Sequence, residues 1–157
     1  MKIRIIVIGK TEEEYLREGI SEYLTRLKRY IPVEYSEIPA LKNSSSLTIP
    51  EQQAREKDLF EKRILPGETV ILLDEHGRQL SSSELAGYLD KRMVSGIKSM
   101  VFLAGGPYGF HPGLKKPGYE MISLSKMTFS HQMVRLIFTE QLYRAFTILR
   151  NESYHHE

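Results

Sequence analysis

Two stretches in the C-terminal third carry residue types that can do chemistry. Gly105-Gly106-Pro107-Tyr108-Gly109 follows an apolar run, and its missing side chains let a ligand approach the backbone closely. A tight turn explains the same residues equally well. The spacing is not Gly-x-Gly-x-x-Gly, so the dinucleotide fingerprint is absent. Further on, Leu124-Ser125-Lys126-Met127-Thr128-Phe129-Ser130 mixes hydroxyls, apolar side chains and backbone amides ahead of a helical pattern. That blend suits a nucleoside, although Ser130 or Thr128 capping the helix is the plainer explanation of the hydroxyls.

Groups able to move a proton or hold a charge gather near the end of the chain. Tyr154-His155-His156 puts a phenol beside two imidazoles, and imidazole titrates near neutral pH. Such a terminal segment is ordinarily frayed, unless the long helix before it projects it onto another subunit. Arg135 and Arg144 are nine positions apart, about 180° around a helix, so at most one faces a given site; the plain alternative is a solvated helix face. His76, His111 and His131 stand singly in loops and read as ordinary hydrogen-bonding residues. No pair of histidines has a zinc spacing, and the absence of cysteine excludes thiolate metal sites, disulfides and cysteine nucleophiles. No metal is expected.

These residues need a scaffold, and the hydrophobic pattern supplies one. Lys2 to Ile8 is a nearly continuous apolar run ended by Gly9, the signature of a strand buried on both faces. Thr11 then reads as the cap of a helix with Glu12, Glu13 and Glu14 in its first turn and Lys28 and Arg29 in its last. A second strand follows from Val33 to Ile38, a loop over 42–50, and a helix from about Glu51 to Leu65. Thr69 to Leu73 reads as a third strand ending in an Asp74-Glu75-His76-Gly77 turn. Ser81 and Glu84 are spaced as a capping box for a helix that Gly96 stops. Strands at Met100 to Ala104 and Met121 to Leu124 precede a final helix from about His131 to Arg150.

Strands separated by helices predict an α/β domain: a mostly parallel sheet with helices on both faces. Ligands of such sheets sit beyond the carboxyl ends of the strands, here near Leu73, Gly105 and Leu124. With 157 residues the chain makes one domain over 1–157, and its composition is ordinary for a soluble protein. No apolar run approaches the roughly 20 residues of a membrane span, and no signal segment is visible, which predicts a cytoplasmic protein. A net charge of +2 is too small to mark a dedicated nucleic-acid binder.

Taken together, Leu73-Asp74, Gly105-Gly106-Pro107-x-Gly109, Leu124-Ser125-x-x-Thr128-Phe129, His131, Glu140-Gln141-Leu142-Tyr143-Arg144 and Tyr154-His155 resemble the RlmH family. These are small SPOUT-class methyltransferases, and the similarity runs end to end. The resemblance implies a SPOUT α/β-knot with a C-terminal trefoil knot and a homodimer whose active site is completed across the interface. It implies S-adenosylmethionine as cofactor, and methylation of N3 of a pseudouridine in helix 69 of bacterial 23S rRNA within the assembled ribosome. Neither a membrane nor DNA is implied as a partner.

Matched position by position, Leu73, Gly105, Leu124, Ser125, Lys126, Met127, Thr128 and Phe129 would line the cofactor pocket. Arg144, Tyr154 and His155 would be the substrate-binding or catalytic group. Ser130 stands where the family often has proline, and His156 where it commonly has Arg or Lys. The rival readings are a non-enzymatic ribosome-binding or assembly factor and a methyltransferase acting on tRNA.

Overall fold

A computed structural model describes residues 1–156 and arranges five strands into one parallel sheet of order β2-β1-β4-β3-β5. The strands are β1 (Lys2–Ile8), β2 (Val33–Ile38), β3 (Thr69–Gln79), β4 (Ser99–Ala104) and β5 (Glu120–Ser123). The helices are α1 (Glu14–Leu27), α2 (Ile49–Glu61), α3 (Ser82–Val94) and α4 (His131–Leu149). The apolar runs in the sequence are explained by burial on both sides. Ile3, Ile5 and Val7 of β1 face α1, α3 and α4, while Ile6 and Ile8 face α2. β4 splits the same way, with Met100, Phe102 and Ala104 on one side and Val101 and Leu103 on the other.

The two faces are unequal. On the thicker one, α4 packs between α1 and α3, and Phe138 meets Phe102 with ring centroids 4.7 Å apart. On the thinner one, α2 shares the work with the 110–114 segment; Phe60 and Phe110 pack at 5.7 Å. Arg135, 1% exposed, crosses the thick face to reach the end of β1. It donates to the carbonyls of Ile8 and Gly9 and to Thr11 Oγ1, and so fixes the start of α4 against the sheet.

Three sequence expectations change. Thr11 caps nothing: α1 starts at Glu14, and the buried Thr11 hydroxyl donates to Glu37 while accepting from Arg135, tertiary partners that local pattern cannot reveal. α2 begins at Ile49, inside the expected loop, because Thr48 and Glu51 form a reciprocal capping box; the helix also ends earlier, at Glu61. β3 does not end at Leu73. Both Leu73 and Arg78 pair with Ile122 of β5, so residues 74–77 loop out of the ladder before the strand resumes. Gly77 makes that possible, since a Cβ there would lie 2.5 Å from the backbone nitrogen of Ile122. Elsewhere the observed bounds differ by a residue or two, and the Ser81–Glu84 capping box is present.

Candidate active site

The excursion at 74–77, the glycine loop after β4 and the segment after β5 surround a cavity of about 500 Å3 at the carboxyl ends of the strands. That volume is in the range of small-molecule sites. Leu73, Gly105, Leu124, Ser125, Met127, Thr128 and Phe129 all line it. Lys126, expected with them, is exposed and does not line the cavity. Apolar walls from Leu73, Leu124, Phe129 and Val134 alternate with Asp74, Lys115, His131 and the backbone of 105–109. The cavity could hold a ligand with a flat apolar part and charged ends. The glycine loop folds back on itself, so that Gly105 faces the Gly109 backbone and the Phe110 ring at contact distance.

Two of the hydroxyls serve the backbone. Ser125 Oγ accepts from the Met127 amide at 2.9 Å, and Ser130 Oγ accepts from the Met133 amide at 3.1 Å as the N-cap of α4. Capping by Ser130 therefore holds, and the turn at Ser125 shapes the pocket wall. His131, in the first turn, has its imidazole pushed below the usual range by burial and by the nearby Arg135 charge. Asp74 goes the other way from what burial alone would do. The His76 amide and Lys115, 2.9 Å from Oδ2, hold its carboxyl below the usual range.

The glycine loop rests on α2, which sequence reasoning did not connect to the site. Gln53 donates to the Tyr108 carbonyl at 2.7 Å, and the buried Glu56 carboxylate lies directly behind Gly106. The signal was available only as a polar residue at a position of α2 that tertiary packing turns inward.

The chain end is not frayed. Tyr154 Oη donates to Glu140 Oε1 at 3.0 Å and lies 3.2 Å from Tyr23 Oη, while its ring packs on Tyr143 at 4.7 Å. Arg144 Nε and Nη2 both donate to Glu140 Oε1, and the guanidinium lies over the Tyr154 ring. Arg144 Nη1 is 3.4 Å from His155 Nδ1. The bond to Glu140 raises the Arg144 pKa further; burial, Tyr23 and Glu140 push the Tyr154 phenol up. So Arg144, Tyr154 and His155 are brought together, with Glu140 of the same motif and Tyr23, which the sequence did not single out, as their partners. Arg135 and Arg144 do diverge around α4, one into the core and one outward, as their spacing required.

The pocket and this cluster do not meet within one chain. Val134 lines the cavity, and Arg144 lies ten residues further along α4, about 15 Å at about 1.5 Å per residue. Among the described residues, no group of three or more His, Asp or Glu side chains is arranged to hold a metal ion, and no helix is long and apolar enough to cross a membrane.

A parallel sheet with its pocket beyond the carboxyl ends of the strands is the general plan of open α/β ligand-binding domains. A family model described as "Predicted SPOUT methyltransferase" matches residues 1–155, and the chain belongs to that family. A probable methylase family protein from Haemophilus influenzae Rd KW20 shares the fold, with a TM-score of 0.58, 14% identity, and coverage of 99% of this chain and 70% of that one. Within the class, the relatives are specific. The chain is 52% identical to the ribosomal RNA large subunit methyltransferase H of Parabacteroides distasonis and 48% identical to that of Phocaeicola vulgatus, with both chains covered in full. It is a member of the RlmH family.

Proposed function

We propose that the protein is an S-adenosylmethionine-dependent methyltransferase of bacterial 23S rRNA. It acts on N3 of a pseudouridine in helix 69 of the assembled ribosome, in the cytoplasm, as a homodimer. The observation that carries this reading is the separation of two sites: a preformed pocket at the strand ends and a cluster of Arg144, Tyr154 and His155 about 15 Å along α4. One chain cannot bring them together, whereas a second copy can place its cluster over the first copy's pocket. Met133, Ile137, Glu140 and Arg144 recur at spacings of four, three and four on one face of α4, and none of them is fully buried. That stripe suits contact with a partner copy. The C-terminal trefoil knot belongs to the same proposal, supported by the return of α4 between α1 and α3 after the edge strand β5.

The pocket fits the cofactor by its chemistry. Leu73, Leu124 and Phe129 offer apolar surface to a purine, and Asp74, Lys115 and the loop amides offer partners to its polar groups. S-adenosylmethionine would supply a methyl group activated by its bond to a positively charged sulfur. Most of the acceleration then comes from orienting the nitrogen in line with that bond and excluding water. The nitrogen carries a proton that must leave. Tyr154 is a poor base, because its phenol is held protonated and donates to Glu140. His155 is the acceptor we assign: its Nδ1 accepts from Arg144 in the resting cluster and can take the proton once Arg144 turns to the base ring. Arg144 stays cationic and stabilises the negative charge that develops on the base ring.

The test is mass spectrometry of rRNA and tRNA from a strain lacking the gene, with and without complementation. Loss of one methyl group from helix 69 alone supports the proposal, while an unmodified pattern in rRNA with a loss in tRNA redirects it. With a net charge of only +2, the protein should turn over assembled ribosomes far faster than naked rRNA.

A further inference from the structure

Three carboxylates stand at or behind the pocket: Asp74 and the solvent-exposed Glu75 line it, Glu56 lies behind Gly106, and they differ in what balances their charge. Asp74 lines the cavity and is held by Lys115 Nζ at 2.9 Å and by the His76 amide. Glu56 of α2 has nothing comparable. It is 5% exposed, and among the described residues it enters no ion pair and accepts one hydrogen bond, from Gln52 Nε2 at 3.1 Å. The neighbouring Lys57 is engaged with Asp58 and Glu61 instead.

Both Glu56 oxygens are directed at the glycine loop, where a Cβ on Gly106 would meet them at 3.0 and 3.1 Å. Gly106 is itself part of the cavity wall, so a single thickness of backbone stands between this carboxylate and whatever fills the cavity. Burying a charge without a partner is costly, and burial pushes the Glu56 carboxyl above the usual range despite the Gln52 bond. A positive charge on the far side of Gly106 relieves that cost, and a neutral occupant does not. Asp74 cannot play this part, because Lys115 already balances it.

We propose that Glu56 is the buried counter-charge of the cofactor pocket, a specificity-determining residue that favours the cationic sulfonium of S-adenosylmethionine over the neutral thioether left after methyl transfer. The inference rests on the cofactor assignment above. Its consequence is a pocket that loses hold of its occupant once the methyl group, and with it the positive charge, has gone.

Calorimetric titration of the full chain and its Glu56→Gln variant with S-adenosylmethionine and with S-adenosylhomocysteine tests this. Through a medium of effective dielectric about 20, loss of the charge should weaken S-adenosylmethionine about tenfold and leave S-adenosylhomocysteine within about twofold. The retained binding of the neutral compound also establishes that the variant pocket is folded. Equal weakening of both compounds would overturn the assignment, placing Glu56 in a packing role or opposite the α-ammonium group that both carry, and unchanged affinity for S-adenosylmethionine would overturn it as well. Wild-type protein that binds neither compound would sink the cofactor reading itself, a result distinct from either of those.

Discussion

The pocket and the tail cluster lie on the same helix and are built in opposite ways. At its N-terminal end, α4 borders a cavity whose glycine loop and turns are held in shape by backbone contacts, through Ser125, Ser130 and Gly77. Near its C-terminal end, it carries a cluster made of long side chains joined through one carboxylate, Glu140, which accepts from both Arg144 and Tyr154. A backbone cradle is preorganised and resists side-chain substitution except at its glycines. A side-chain hub depends on every member, and its groups can be released to a substrate by breaking hydrogen bonds rather than moving the chain. The contrast teaches that one helix can border a preformed cavity at one end and carry a side-chain hub at the other.

The largest effect should come from separating the two regions by mutation. Arg144→Ala or His155→Ala should lower the methyl-transfer rate by about 10²- to 10⁴-fold in single-turnover assays, with cofactor affinity within about twofold of wild type. Gly106→Val should do the reverse, because its first side-chain carbon meets the Glu56 oxygens at 3.0 and 3.1 Å, and should abolish cofactor binding measured by calorimetry. Mixing the two dead variants should restore about a quarter of wild-type activity through heterodimers that hold one intact site. No recovery would mean that pocket and tail act within one chain.

Smaller effects test how each region is held. Gly77→Ala pushes a carbon to 2.5 Å from the Ile122 nitrogen and should cost about 2–4 kcal/mol of stability in denaturant titrations. It should distort the pocket without touching the cluster. Glu140→Gln should cost about 1–2 kcal/mol and reduce turnover about tenfold, leaving cofactor binding intact. The smallest effect concerns Asp74, whose folded pKa lies below its ordinary value of about 4. Its contribution is present above that ordinary value and is lost as pH falls through the lower, folded one. Lys115→Ala should flatten this acid limb by a fraction of a kcal/mol, seen as a melting temperature that changes less with pH than in wild type.

The pocket was more legible in the sequence than the cluster. Gly105 and the 124–129 run announced themselves because turns and strand ends leave local marks: glycines, hydroxyls, and an apolar run that stops. Lys126 was carried along by adjacency, yet at the bend where Ser125 accepts from the Met127 amide it is exposed and stays out of the cavity wall. The tail residues were named from family resemblance. Glu140 stood in the motif without a role, and Tyr23 stayed hidden, because Tyr23 and Tyr154 are brought together across 131 residues of chain. Glu56 and Arg135 were hidden for the same reason: a charged residue in a helix reads as solvated until packing buries it.

By itself, the sequence determined the alternation of strands and helices, the parallel sheet and the chain positions of the loops that ring the pocket. All of these follow from local periodicity, capping and glycine placement, which act over a few residues. Only the tertiary structure decided that residues 74–77 leave the ladder, that α2 backs the glycine loop, and that Tyr154 and His155 settle on Glu140 and Arg144 rather than in the pocket wall. Those features depend on which surfaces meet across the sheet, and no local pattern encodes a contact between segments a hundred residues apart.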